Sequence, residues 1–487
     1  MVSGLLLCLC LQAMSAPIST GSPDSLEISL LTCSPHNEVY SIYGHTAIRV
    51  SDKSQGRDFV VNYGVFDFNA PHFLWRFTFA IADYEMGILL MPQFMTEYVI
   101  RQSSVTEQVL NLTGHEKAMI FNALQENYKP ENAKYRYNFF FDNCTTRARN
   151  ILLNHIDGQV EYRNAEPDKT FRAYVHEFSR DYPWTTFGID LLLGVGADRM
   201  TSRSESQFLP YHLRDDFGSA IIRSTDGTER PLVKQTSMLL KGGPVMTGSD
   251  FPLSPKAVMW LLATVILMVT AAETLWLKRV FWWFDALLLF IIGAVGIIIC
   301  ALFFSKHPTV STNLQALLFN PLPLLMLVPV VRRLRKYDGH WWWGVQCILL
   351  ILFLIGSFFQ NYAVGLTTLA LSLLVRWSIR LRLDKVFPER HRKEALDHDQ
   401  LRAKTQEIRR YVQESANAQK EEIQQLKATI EDTPIDEREA IFNKIDKIEK
   451  EILDIYEEKL NEVLPVAFSI VKETARRYCS ESVQKPY

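Results

Sequence analysis

The sequence predicts an α+β domain, then an all-α membrane region of five spans, then a helical tail on the cytoplasmic side. Three observations carry this. Short alternating apolar runs mix with helical spacing over residues 25–245, apolar residues crowd into 257–381, and strongly charged helical sequence fills 394–487. The whole-chain figures, 48% hydrophobic, 22% charged and a formal net charge of -2, average over these unlike regions. No nucleic-acid partner is expected at that charge balance.

The first twenty residues, MVSGLLLCLCLQAMSAPIST, have an apolar core followed by the small residues Ala13, Ser15 and Ala16. They read as an export signal that lacks a basic n-region, with its cleavage site left open. Over 25–245, LEISLLT, HTAIRVS, DFVVNYGVF and VTEQVLNL read as short strands, while EKAMIFNALQENY and CTTRARNILLNHI carry helical spacing. A domain of this length can bury a sizeable core.

Within it, two segments about a hundred residues apart point to chemistry. In YNFFFDNCTTRARNILL, Asp142 and Asn143 precede Cys144 and an amphipathic run, so Cys144 opens a helix. The positive end of the helix dipole favours its thiolate. In YSIYGHTAIRV, His45 lies on an alternating segment leaving a Tyr-Gly turn. A strand histidine facing a helix-start cysteine is the geometry of papain-like thiol catalysis, here in the order histidine then cysteine. Such a site needs a thiolate, an imidazole base, a polar group to orient the imidazole, and oxyanion donors. Cys144 and His45 take the first two roles, and Asn62 in VVNYGVF takes the third if its segment pairs beside His45. The backbone N–H of Cys144 is an oxyanion donor, and Tyr43, Asp142 and Asn143 are expected to form the walls of the site. Two other readings stay open. Cys33 and Cys144 can form a disulfide in an oxidising compartment, and Cys33 with His36 is a competing dyad. Neither a metal site nor a cofactor is expected, because no Cys-x-x-Cys or His-x-x-x-His pair occurs.

Five apolar runs approach membrane-spanning length, at about 257–277, 282–304, 313–331, 341–359 and 362–380. Basic residues follow the first span (Lys278, Arg279), the third (Arg332, Arg333, Arg335, Lys336) and the fifth (Arg376, Arg380, Arg382, Lys385). The positive-inside rule then places the first domain outside an inner membrane and the C-terminus in the cytoplasm. Trp282, Trp283 and Trp341 to Trp343 read as an aromatic belt at span ends. Asn313, Gln315 and Asn320 enter a span broken by Pro321, Pro323 and Pro329, and read as interhelical glue or, in the minority reading, as ligand contacts. The tail pairs glutamate with lysine at helical spacing but keeps no clean heptad, so packing onto another element is expected.

Residues from about 25 to 380 resemble the Lnb N-terminal periplasmic domain family of Bacteroidota-type bacteria, a family of largely unknown function that continues into membrane spans. The resemblance rests on LLTCSPHNEVYSIYGHTAIRV, NYGVFDF, YNFFFDNCTTRARNILL and TTFGIDLLLGVGADR. The His-before-Cys order and the Asn-Cys pair at a helix start also resemble circularly permuted papain-like hydrolases and acyltransferases, the group containing lecithin-retinol acyltransferase. That resemblance implies a permuted papain-like α+β domain acting on an amide or ester of an envelope peptide or lipid through an acyl-enzyme. A binding or assembly factor without turnover is the alternative. In the tail, LRAKTQEIRRYV and IDKIEKEILDIYEEKLNEVLPVAFSIVKETARRY resemble the N-terminal stretch of the translocation ATPase SecA. The Sec translocon or SecA is the partner this implies for the tail. The chain has no G-x-x-x-x-G-K-[ST], so ATPase activity is not expected. A true fusion and a chimera joined near Glu394 both fit these residues.

Overall fold

The computed structural model describes residues 25–36, 41–66, 71–243, 251–387, 389–430, 432–455, 457–458 and 461. The export signal expected over 1–20 and the SecA-like sequence beyond residue 461 lie outside the described residues. The chain divides into two compact units: one holds residues up to 265 with 291–324 and 348–374, and the other holds 266–290, 325–347 and 375 onward.

In the first unit, strands β1 (Leu26–Cys33), β2 (His45–Asp52), β3 (Arg57–Val65), β4 (Asp83–Leu90), β5 (Val105–Leu110) and β6 (Lys134–Arg136) build most of one sheet. Strands β7 (Gln159–Glu161), β8 (Ile221–Arg223) and β9 (Glu229–Pro231) form a small second sheet, and β10 (Val233–Leu240) returns to the first. The large sheet is antiparallel with the order β10-β5-β1-β2-β3-β4-β6. Period-two alternation sends side chains to two cores. Leu26, Ile28, Leu30, Ile48, Val50, Val61 and Tyr63 face one core, while Leu31, Cys33, Ala47 and Val60 face the other. Both faces are covered, so β1 reads as nearly continuous apolar sequence.

The helices that cover them are short. After α1 (Phe73–Thr78), α2 (Met91–Ile100) packs Met91, Phe94 and Tyr98 into the second core. On the first core lie α3 (Gly114–Tyr128), the single turn α4 (Pro130–Ala133) and α5 (Cys144–Leu153), the last contributing Ala148 and Leu152. A third cluster gathers Phe171, Tyr174 and Val175 of α6 (Phe171–Ser179) with Phe140, Phe208, Leu302 and Val310.

Among the described residues, three helical stretches are long and apolar enough to cross a membrane: Pro255–Leu277, Trp282–Phe304 and Leu314–Arg335. The fourth and fifth expected spans are the shorter helices Trp342–Gly356 and Leu366–Leu381. The third run is not one helix. A 3-10 turn over Leu314–Leu317 precedes a helix that starts at Leu322, because Pro321 and Pro323 lack the N–H groups a continuous helix would need there.

Asn313 and Gln315 tie this run to the segment before the helix Leu366–Leu381, Gln360 Nε2 donating to Asn313 Oδ1 at 2.9 Å and the Ala363 N–H to Gln315 Oε1 at 3.2 Å, and they also reach the first domain. Asn313 Nδ2 donates to the Leu191 carbonyl (2.8 Å), Gln315 Nε2 to that of Asp190 (2.8 Å) and Gln360 Nε2 to that of Leu193 (3.0 Å). These side chains satisfy the orphan carbonyls that end α7 (Pro183–Leu192). The backbones approach so closely that a Cβ at Gly194 would lie 2.0 Å from the Thr312 carbonyl oxygen. The LLLGVG segment thus has glycine where the α+β domain meets the loop after the second span.

In the second unit, Glu273, Asp285, Arg376 and Arg380 are all 0% exposed. Arg376 bonds Asp285 at 2.7 and 2.8 Å and Glu273 at 2.9 Å, and Arg380 bonds Asp285 at 3.0 Å. Two of the basic residues assigned to the end of the fifth span are therefore neutralised inside it. The aromatic belt also needs correcting at one end. Trp342 and Trp343 are buried, and Trp343 lies 6.1 Å from Trp377, ring centre to ring centre, while Trp282, Trp283 and Trp341 are exposed. The tail packs on itself. Ile423, Leu426 and Ile430 of the helix Glu389–Ile430 meet Ile441, Ile445, Ile448 and Ile452, with Lys444 bridging back to Glu422 at 3.2 Å.

Candidate functional site

Cys144 is the first residue of α5, and the sequence before it dictates why the helix starts there. Asn143 is the N-cap with extended backbone, and its Oδ1 accepts from the N–H groups of Thr145 and Thr146, both at 2.9 Å. Thr146 Oγ1 accepts from the Asn143 N–H at 2.8 Å, closing a reciprocal cap. The Asn143 Nδ2 donates to the carbonyls of Phe139 (2.8 Å) and Phe208 (2.9 Å), so this buried amide is fully engaged inside the protein. Asp142, beside it, holds Arg147 in a bidentate pair at 2.6 and 2.9 Å. Arg147 in turn lies 3.5 Å over the Tyr135 ring. Asn143 and Asp142 therefore build the helix start.

His45 is the first residue of β2 and pairs across to Cys33, while Ala47 two residues on pairs with Asn62 of β3. This register puts His45 and Asn62 on the same face of neighbouring strands, and His45 Nε2 lies 3.1 Å from Asn62 Oδ1. An amide oxygen only accepts, so Nε2 is the donor in this pair. The ring is near enough to the Cys144 thiol for each to shift the other's ionisation. The Thr46 hydroxyl meets Thr145 Oγ1 at 3.1 Å, and Thr145 Oγ1 lies 3.8 Å from Cys144 Sγ.

The electrostatics follow from that arrangement. Burial disfavours the thiolate of Cys144, but the charge and hydrogen bond of His45, then the bonds from Thr46 and Thr145, outweigh it and pull the thiol from 9.0 down to about 7. Burial alone would lower the imidazole of His45, yet the Cys144 charge and the bonds to Cys144 and Asn62 raise it. The two titrate as a coupled thiolate-imidazolium pair. Cys33 and Cys144 are both free thiols. Cys33 belongs to the α2-side core whereas Cys144 packs against the α3 and α5 side, and burial pushes the Cys33 thiol far up.

Tyr43, expected as a site wall, packs on the third cluster, its ring 4.8 Å from that of Phe139 and 6.2 Å from that of Phe178. Burial, then the charge of Asp190, pushes its hydroxyl far up, so it stays a neutral donor.

One site residue has no sequence pattern to announce it. Pairing between β3 and β4 breaks after Asn62 and resumes at Val65, and Gly64 within this bulge has φ +90°. A Cβ there would lie 3.7 Å from the Cys144 Cβ and 3.9 Å from the Tyr135 hydroxyl oxygen. That hydroxyl is buried with no hydrogen-bond partner. Burial, then the negative charge of Cys144, drives its pKa far up, so it too remains a neutral donor. Tyr135 sits on the short edge strand β6, whose three residues alternate exposed, buried, exposed but are too few to announce a strand. Among the described residues, no group of three or more His, Cys, Asp and Glu could hold a metal ion.

Residues 15–177 match the family described as Lnb N-terminal periplasmic domain, and residues 247–385 match that described as Lnb transmembrane domain. The C-terminal region matches the N-terminal segment of protein translocase subunit SecA. The Bacteroides fragilis SecA is 55% identical over 83 residues, which is 17% of this chain and 8% of that protein. The Phocaeicola vulgatus SecA is 48% identical over 97 residues, 20% of this chain and 9% of that protein. The Porphyromonas gingivalis SecA is 47% identical over 85 residues, 18% of this chain and 8% of that protein. The chain thus spans less than a tenth of these relatives. No solved structure matches it.

Proposed function

We propose that this chain, which joins an Lnb N-terminal periplasmic domain to an Lnb transmembrane domain, is a membrane-anchored periplasmic cysteine acyltransferase or hydrolase of permuted papain-like type. The observation that carries the reading is the line Cys144, His45, Asn62: a lowered thiol, an imidazole facing it, and an amide oxygen 3.1 Å from the far ring nitrogen. His45 Nδ1 takes the thiol proton, and Cys144 Sγ attacks the carbonyl carbon of an ester or amide. The oxyanion that forms is met by the backbone N–H of Cys144 at the helix start and by the Tyr135 hydroxyl. His45 returns its proton to the leaving alcohol or amine, leaving a thioester on Cys144. Asn62 keeps the imidazole in the working tautomer throughout. An incoming amine, hydroxyl or water loses its proton to His45 and takes the acyl group, which regenerates the thiol.

A lipid-borne acyl group suits this site better than a soluble peptide. The wall residue Tyr43 shares its apolar cluster with Leu302 and Val310, at and just beyond the end of the second candidate span. The basic residues that remain exposed, including Lys278, Arg279 and Arg333, support a tail on the cytoplasmic side. There it is a SecA-like segment without a phosphate-binding loop, and the Sec translocon or SecA is the partner proposed for it. The catalytic reading is tested with membranes containing the full chain and a phospholipid labelled in its acyl groups. Label should pass to acceptor or water with the intact chain and stop with Cys144→Ala and with His45→Ala. Transfer persisting in both variants would remove this site from consideration.

A further inference from the structure

The segment from Pro71 to Ala82, PHFLWRFTFAIA, is rich in aromatic residues, and some of its large apolar side chains face outward. Trp75 is 59% exposed, and Phe77 and Ile81 are also exposed. At about 25 cal/mol per Å², leaving such surface in water is costly, so a patch of this kind marks a contact. Its backbone is held in place at some cost as well. His72 and Ala80, on either side of α1, have φ of 57° and 54°, a left-handed conformation that residues with a Cβ adopt only at a cost.

What holds it is the point where a membrane span ends. Ser305 Oγ donates to the Thr78 carbonyl at 3.0 Å, the Lys306 N–H donates to that of Phe79 at 3.2 Å, and His307 Nε2 donates to that of Phe77 at 3.3 Å. These three residues directly follow the candidate span Trp282–Phe304, whose last residues, Phe303 and Phe304, are exposed. Charge frames the patch as a headgroup layer requires. Lys306 is exposed, and Arg76 within the segment and Arg136, which donates to the Ile81 carbonyl, are both bridged to Asp83. Tryptophan and phenylalanine with a cationic rim suit the boundary between acyl chains and headgroups.

We propose that the α1 segment is a bilayer-seating surface, with Trp75, Phe77 and Ile81 immersed in the outer-leaflet interface of the membrane that the spans cross. From it an aromatic file runs inward. Phe77 stacks on Tyr137 at 6.2 Å, Tyr137 on Tyr84 at 4.2 Å, and Tyr84 stands 6.5 Å from Tyr135, the neighbour of Cys144. The surface thereby holds the thiol site at a fixed height above the leaflet. The proposal stands on the segment's own geometry and survives if the acyl-transfer reading fails.

The test places a benzophenone amino acid at position 75, at position 81, or at Gln55 as a control, in the full chain reconstituted in phosphatidylethanolamine and phosphatidylglycerol nanodiscs. Gln55 is exposed in the hairpin at the far end of β2 from His45. Irradiation should add one phospholipid mass to the chain at positions 75 and 81, at least tenfold more than at position 55. Absence of lipid adducts at both positions, adducts equal to the control, or a dominant adduct of doubled chain mass, which means a second copy covers the patch, would each overturn it.

Discussion

Replacing His45 with alanine separates the charge effect of the imidazole from every other influence on Cys144. In the intact protein the thiol stands at about 7 instead of 9.0. About half is then thiolate at pH 7, against roughly 1% for a thiol at 9.0. The fraction ionised therefore falls about 50-fold in the variant. A less basic thiolate is also a weaker nucleophile, and a two-unit drop costs it roughly sixfold to tenfold in intrinsic rate. The net expectation at pH 7 is that alkylation of Cys144 slows by about fivefold to tenfold without His45. As pH rises the variant's thiol ionises while the intact protein's is already saturated, so the two profiles should cross near pH 8, by the same ~two-unit argument. The assay is iodoacetamide alkylation of the full chain in detergent, read by peptide mass spectrometry at Cys144 because the chain has seven cysteines. Superimposable profiles for the two proteins, or an inflection near 9 in the intact one, would refute the paired thiolate-imidazolium.

Other residues give sharper divisions. Tyr135→Phe should reduce acyl transfer by about 10²-fold while leaving Cys144 alkylation unchanged, since alkylation forms no oxyanion; an equal loss in both would make the hydroxyl structural. Gly64→Ala forces a Cβ onto a residue at φ +90°, costing about 1–2 kcal/mol in the folded domain, to be read as a lowered unfolding midpoint; an unchanged midpoint would show that the bulge relaxes freely. Asp285→Ala leaves Arg376 and Arg380 sharing only Glu273, and breaking such a buried network should cost about 3–5 kcal/mol in detergent unfolding. The loss should be much smaller when Asp285 and Arg376 are replaced together by apolar residues.

What could be seen in the sequence was local. Asp-Asn-Cys-Thr-Thr announces a helix start because the cap is made by its own neighbours, Asn143 and Thr146. Alternation in HTAIRVS and DFVVNYGV announces adjacent strands, and antiparallel pairing then brings Asn62 to His45. Tyr135 escaped because its placement depends on a bulge at Gly64 and on a three-residue edge strand, neither of which leaves a periodic trace. The polar residues Asn313 and Gln315 invited a reading as intramembrane polar contacts, since sequence does not reveal that the carbonyls ending α7, more than a hundred residues earlier, need donors. For the same reason Arg376 and Arg380 counted as free positive charges until their partners Glu273 and Asp285, about a hundred residues away, were placed against them.

The most direct test of the central claim is the intact mass of the Cys144 peptide after the full chain turns over in lipid nanodiscs and is quenched in acid. The account predicts an added acyl mass on Cys144 that neutral hydroxylamine removes and that is absent from Cys144→Ser under the same quench. A Cys144 peptide that stays unmodified while the chain is turning over labelled lipid would contradict it.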